Sequence, residues 1–226
     1  MQTVNLNGRD NRKSLIPLFG ICLFLLLYIV AALLYPGGSN AEKVSSGFSL
    51  QDNYWCDLMA NTAKNGLVNP ARPIAITAWI ILCFSLGLFW IYLPGLFDVK
   101  NINHTIIQYA GTLTAIVAIF SFTRFHDMVI NLSGIFGSIT SIAAFIELKK
   151  AKQNDLLLMA SFCYFLGVVN YFFYTTNFLI SQLPLLQKIT YLLCLLTFGL
   201  ASYRIYRKDA FILYKQTFSN EKNPGY

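Results

Sequence analysis

Six long stretches of this chain contain no Asp, Glu, Lys or Arg. They run between Ser14 and Ala41, Pro73 and Phe97, Asn101 and Thr123, Met128 and Ile146, Leu156 and Gln187, and Ile189 and Tyr203. The first five are each about as long as, or longer than, the roughly 20 apolar residues that cross a hydrocarbon core about 30 Å thick, and the last reaches that length with the apolar residues before Lys188. This pattern limits the fold more than any motif does. A backbone in lipid finds no water, so each span must satisfy its own N–H and C=O groups as a helix. Barrel strands would alternate with period two, and these runs do not. The chain therefore reads as all-α, a polytopic membrane helix bundle of about six transmembrane helices. The spans are expected at roughly 15–35, 74–93, 103–123, 128–146, 156–178 and 185–204.

Composition supports this reading. Of the 226 residues 56% are hydrophobic and only 12% are charged, half the charge density of a soluble domain, about 25%. The net charge of +7 does not signal nucleic acid, because the basic residues flank apolar runs instead of forming a patch. Such flanks are expected for topology and for contact with anionic lipid. Membrane lipids are the expected partners, nucleic acid is not, and the sequence names no protein partner. Cys22, Cys83, Cys163 and Cys194 lie inside apolar runs, and Cys56 alone falls in a polar loop. With no CxxC pair, a thiolate zinc site is not expected. The apolar run from Leu15 to Tyr35 exceeds the usual 7–15 residue core of a signal peptide, so it reads as a retained span.

Lys and Arg set the orientation. With the N-terminus inside, the inner segments carry Arg9, Arg12, Lys13, Lys100, Lys149, Lys150, Lys152, Arg204, Arg207, Lys208, Lys215 and Lys222. The outer ones carry Lys43, Lys64, Arg72, Arg124 and Lys188, so the balance is twelve against five. Both termini are thus expected in the cytoplasm, with the bundle in the cell (plasma or inner) membrane. The domain reading is a cytoplasmic tail 1–14, a six-span domain 15–208 with a structured outer loop 36–72, and a cytoplasmic tail 209–226. Ser133, Gly137 and Ser141 give the fourth span a small-residue face, and Gly111, Ala115 and Ala118 give one to the third. These two helices are expected to pack together.

The outer loop is the most informative segment. It holds Phe48, Tyr54, Trp55, Leu58 and Met59, too many apolar groups to leave in water, and long loops in compact proteins are often functional. The stretch 52–58 reads as a short interfacial helix, with Asn53 and Asp57 on one face. The chain then turns at Asn65-Gly66. The link Arg124-Phe125-His126-Asp127 reaches the same side, and so does the polar stripe Asn170, Tyr174 and Asn177 of the fifth span. A buried amide in lipid needs a partner, so that stripe should face inward. Asp52, Asn53, Asp57, Arg72, Arg124, Asn170 and Tyr174 are therefore the candidate ligand-binding residues of an outward-facing pocket.

Each candidate also has a plainer explanation. Asp127 suits a helix N-terminus and Arg124 a helix C-terminus, Arg72 suits a snorkelling flank, and Asn170 suits an interhelical clip. His126 is the natural general base, since an imidazole titrates near neutrality, with Asp127 or Asp57 to orient it. The second histidine, His104, lies ~33 Å away along a helix, so the two cannot share one metal ion. No metal and no cofactor is expected. The chain contains no Walker loop, dinucleotide fingerprint or GxSxG. Asn131-Leu132-Ser133 matches a glycosylation acceptor but lies deep in the fourth span. No internal repeat of the kind many transporters carry is evident.

Tyr35-Pro36-Gly37-Gly38-Ser39, Gly47-Phe48-Ser49, Asn53-Tyr54-Trp55-Cys56-Asp57-Leu58 and Asn69-Pro70-Ala71-Arg72-Pro73 together resemble the first outer loop of multi-span membrane families of unknown function, broadly Frag1/DRAM-like in layout. That resemblance implies a six-span fold and a shared loop feature. It carries no reaction. The leading functional expectation is binding of a lipid head group or small polar molecule in the outward pocket. The alternatives are a membrane-embedded lipid-modifying enzyme using His126, and a small transporter or scaffold. Whether the chain is an enzyme stays open at this level.

Overall fold

The computed structural model describes residues 11–222, and side chains for 13–211. The outermost parts of both expected tails lie outside the described residues. Among these, the chain is all-helical, with no strand. The described residues form six α-helices: α1 (Ile16–Leu34), α2 (Arg72–Tyr92), α3 (Ile102–Ala118), α4 (His126–Lys150), α5 (Asn154–Thr176) and α6 (Leu183–Lys222). With their flanking turns, all six are long and apolar enough to cross a membrane, and the span-length part of α6 is Leu183–Phe211. The expected C-terminal tail is helical as far as Lys222. We call the end of the bundle that carries the 35–71 loop the cap end, and the opposite one the far end.

Packing follows from small residues meeting large ones. Pro17, Gly20, Ile21, Phe24, Tyr28 and Ala31 form the buried stripe of α1, at the spacing of one helical face. Gly20 lets α2 approach so closely that a methyl group there would overlap the Ser85 side chain. The other face of α1 is bare, with Phe19 at 67% and Leu33 at 80% exposure. The remaining helices likewise expose Phe84, Tyr109, Ile135, Leu158 and Phe172. An apolar perimeter this continuous is inverted relative to a water-soluble bundle.

The expected pairing of α3 with α4 is present, with Gly137 against Thr114. The small residues do more than bring these two helices together. Gly111 of α3 receives the Trp90 ring from α2, where a Cβ would lie 2.4 Å from the ring. On α4, Ser133, Gly134, Gly137, Ser138 and Ser141 line a cavity. Trp90 fills the space that α4 was expected to take on that side of α3.

Charged groups fasten the far end. Glu147 of α4 is 3% exposed. It accepts from Asn101 Nδ2 (2.9 Å), Asn103 Nδ2 (2.7 Å) and Lys150 Nζ (2.8 Å), with His104 Nε2 at 3.6 Å. This clamp joins the start of α3 to the end of α4. Arg204 of α6 donates to Gln153 and pairs with Asp155. Lys208 donates to the Leu96 carbonyl (2.9 Å) and to Asp98 (2.7 Å).

Candidate functional site

The cap is an ordered lid built on three buried polar side chains. Asn53 is fully buried. It donates to the Gly38 carbonyl (2.8 Å) and to Asp57 Oδ2 (3.2 Å), and accepts from the Ser49 N–H (2.9 Å). Asp57 also accepts from the Tyr54 N–H (2.9 Å) and lies 3.4 Å from Lys64. Asn69 donates to the carbonyls of Asp57, Leu58 and Ala60 and accepts from the Ala71 N–H. A buried amide can bond several backbone groups at once, which is how a loop without strands satisfies its main chain. Gly38 sits at φ +79°, and a side chain there would collide with the backbone at Lys64 and Asn65. The short helix read over 52–58 is a 3-10 turn, Trp55–Met59, and the expected Asn53–Asp57 partnership is present.

The lid is locked onto the bundle. Trp55 stacks on Tyr191 of α6 at 5.4 Å and meets Phe24 and Tyr28 of α1 edge-on or tilted. Lys188 of α6 is 4% exposed. Its ammonium donates to the Asn53 carbonyl and, at 3.1 Å, to the Pro184 carbonyl, and lies 5.5 Å from the centre of the Phe48 ring.

Two adjacent cavities lie behind this lid. The larger, about 990 Å³, is bounded by α2 to α6, with Trp79, Leu86, Phe89, Trp90 and Phe198 among its mostly apolar walls. The smaller, about 270 Å³, sits directly under the cap. Tyr54 and Cys56 form its roof, and His126, Asn170, Tyr174, Gln187, Thr190 and Tyr191 supply its polar groups. Ile130, Gly167 and Tyr171 line both, so the vestibule and the chamber are neighbours across these residues. Pockets of this size with a few convergent polar groups are typical of small-molecule sites.

Three tyrosines of α5 bridge to α4. Tyr164 donates to Ser138 Oγ (3.1 Å), Tyr171 to Asn131 Oδ1 (2.8 Å) and Tyr174 to Asp127 Oδ1 (2.7 Å). These three bonds span the seam between the two helices. The residues along this seam are exposed, including Ile135, Tyr164, Val168 and Tyr171, so the large cavity opens sideways there.

Of the seven residues expected to bind ligand, Asn170 and Tyr174 line the vestibule. Asp52 is held by Ser49 Oγ at 2.8 Å. It, Asn53 and Asp57 build the lid instead of facing the cavity. Arg72 opens α2 with its Nε buried and unpartnered. Arg124 lies over the Phe125 ring at 4.9 Å. Neither arginine lines either cavity. His126 lines the vestibule, with Nδ1 3.2 Å from Asp127 Oδ1. Gln187, Thr190 and Tyr191 were not anticipated. Their spacing of three and four residues just past Pro184 places them on one helical face, and that was the available signal. The described residues contain no cluster of three or more metal-ligating side chains.

Burial, reinforced by the Asp57 carboxylate, pushes the Cys56 thiol up to about 11. Only the thiolate attacks alkylating reagents, so Cys56 is expected to be inert at pH 7.5. Its alkylation rate should climb about tenfold per pH unit as far as that value. Peptide mapping after iodoacetamide treatment at stepped pH measures this, and rapid labelling at neutral pH would contradict it.

No protein-family model, curated protein or solved structure matches this chain. The functional reading therefore rests on the geometry of lid, vestibule and chamber.

Proposed function

We propose that this chain is an integral membrane protein with its cap end outward and both termini cytoplasmic, and that it binds an amphipathic lipid. The head group occupies the vestibule under the cap and the acyl chains occupy the chamber. The observation that carries this reading is the adjacency of two cavities that share Ile130, Gly167 and Tyr171 as wall residues, the smaller of them bearing His126, Asn170, Gln187 and Thr190 under the cap. At about 30 Å³ per water-sized group, the 990 Å³ chamber takes roughly thirty methylenes, on the scale of two long chains. The sideways opening between α4 and α5 supports entry from the bilayer. The positive far end, with Lys149, Lys150, Arg204 and Lys208, supports the cytoplasmic placement of that face. The Frag1/DRAM-like layout is part of the same proposal.

Gly167 supplies the test. A Cβ there meets nothing within 4 Å, so a large side chain fits the backbone and projects into the junction. Gly167→Phe is expected to insert and melt like the parent, since leaving Gly in a helix relieves up to about 1 kcal/mol of propensity cost. Co-purifying lipid, counted by extraction and mass spectrometry after exhaustive detergent exchange, should fall from about one per chain to background. Equal lipid in both proteins would remove the proposal.

One observation favours a second reading. The His126–Asp127 pair lines the vestibule at hydrogen-bond distance, the arrangement a general base and its orienting carboxylate require. Hydrolysis or transfer on a bound lipid would then depend on His126. Turnover of lipid by reconstituted protein that His126→Gln leaves unchanged would sink it.

A further inference from the structure

A cysteine inside an apolar helix is ordinarily a small filler of the core. Cys163 of α5 and Cys194 of α6 differ from that pattern because they meet. Both are free thiols, and both line the chamber. They interact directly across α5 and α6. Cys163 Sγ also lies 3.5 Å from Thr197 Oγ1, one turn beyond Cys194 on the same face of α6. Two groups that can donate to the Cys163 sulfur therefore converge on it, the Cys194 S–H and the Thr197 hydroxyl. Thr197 also reaches the Leu193 carbonyl at 2.8 Å, and a hydroxyl turns between such partners. Cys56 is the contrast, since its neighbour is the Asp57 carboxylate. A negative charge developing on sulfur is opposed there and received by donors at Cys163.

The depth of the pair matters as much as its surroundings. Asn170 and Thr190 mark the vestibule. Cys163 lies about 10 Å further from the cap along α5 than Asn170, at about 1.5 Å per residue. Cys194 is one turn further along α6 than Thr190. A head group in the vestibule thus brings the middle of its acyl chains toward the two thiols. Mid-chain is where oxygen adds to an unsaturated acyl chain, leaving a hydroperoxide.

We propose that Cys163 and Cys194 are a dithiol that reduces an acyl-chain hydroperoxide of the lipid in the chamber to the alcohol and closes into a disulfide between α5 and α6. This rests on the reading that acyl chains fill the chamber. Cys163 Sγ attacks the outer oxygen of the hydroperoxide. An S–O bond forms, the O–O bond breaks, and the thiol proton goes to the leaving alkoxide. The products are the lipid alcohol and a sulfenic acid on Cys163. Cys194 Sγ then attacks the sulfenic sulfur, and the S–S bond forms as the hydroxyl leaves with the Cys194 proton as water. Two electrons pass from the thiols to the peroxide, and no other reductant takes part.

The test uses the full chain, reduced and reconstituted in saturated phosphatidylcholine vesicles doped with a phosphatidylcholine hydroperoxide. Mass spectrometry follows the lipid alcohol and the Cys163–Cys194 linked peptide after free thiols are blocked. The parent should form about one alcohol and one linked peptide per chain, the stoichiometry of a dithiol. Cys163→Ser should form neither. Cys194→Ser should still form the alcohol and stop at a sulfenic acid on Cys163 that dimedone traps. Cys22→Ser, on the bare face of α1, should match the parent, and unchanged melting curves show that each variant folds. A hydroperoxide left intact by protein that carries about one co-purified lipid per chain would overturn the dithiol inference and leave lipid binding standing. Equal alcohol from Cys163→Ser would overturn it too. A linked peptide formed with hydrogen peroxide but not with the lipid hydroperoxide would overturn the substrate class. Background co-purified lipid in the parent would remove the lipid-binding reading, and this inference with it.

Discussion

Glu147→Ala is expected to remove about 3 kcal/mol of stability, because it strands the donors of a buried clamp. Asn101, Asn103 and Lys150 all donate to this one carboxylate. Lys150 is 60% exposed along its side chain and can turn to water, so the loss falls mainly on the two amides. For a chain of this size the melting temperature in detergent should drop by roughly 10 °C. Glu147→Gln keeps one carbonyl oxygen and should fall between the two. An unchanged melting curve for the alanine variant would mean that the clamp contributes nothing and that apolar packing alone joins α3 to α4.

The second large effect concerns the lid. Asn53→Leu keeps the volume and removes every side-chain hydrogen bond that Asn53 makes to Gly38, Ser49 and Asp57. Unpaired buried donors and acceptors on the loop should cost about 3 kcal/mol. That cost falls on the lid and not on the helices. Limited proteolysis of the variant should cut within 36–71 at protease levels that leave the parent intact. Trp55 emission should shift to the red as its stack on Tyr191 opens, while helical circular dichroism stays constant. Resistance equal to the parent's would show that the aromatic contacts of Trp55, not the polar network, hold the lid.

The six helices were legible because the absence of charge over twenty residues has one structural outcome when backbone groups lack water. Inside the lid, the partnership of Asn53 with Asp57 was also legible, since four residues bring two side chains to one side of a helical turn. What faces the vestibule was legible only in part. Asn170 and Tyr174 stood out as polar groups inside an apolar helix. Gln187 and Thr190 did not, because they sit near the entrance of α6, where polar residues are ordinary. Asp52, Asn53 and Asp57 looked like ligand contacts because charge and amides on an outer loop suggest recognition. Their hydrogen bonds go to the loop's own main chain, and a one-dimensional reading has no access to that destination. The tyrosine bridges follow an antiparallel register, Tyr164 with Ser138 and Tyr171 with Asn131. Only the pairing of α4 with α5 in space makes that register visible.

Those bridges carry a kinetic consequence. Two helices in direct contact separate only as rigid bodies, slowly and with loss of packing. Here the closure between α4 and α5 consists of aromatic rings on single bonds, each hydrogen-bonded at its tip. Swinging Tyr164 and Tyr171 aside breaks one weak bond apiece and leaves both backbones where they are. Rotamer changes of exposed side chains take picoseconds to nanoseconds. A guest arriving from the flank would pass a turnstile, while the roof formed by Tyr54 and Cys56 stayed shut.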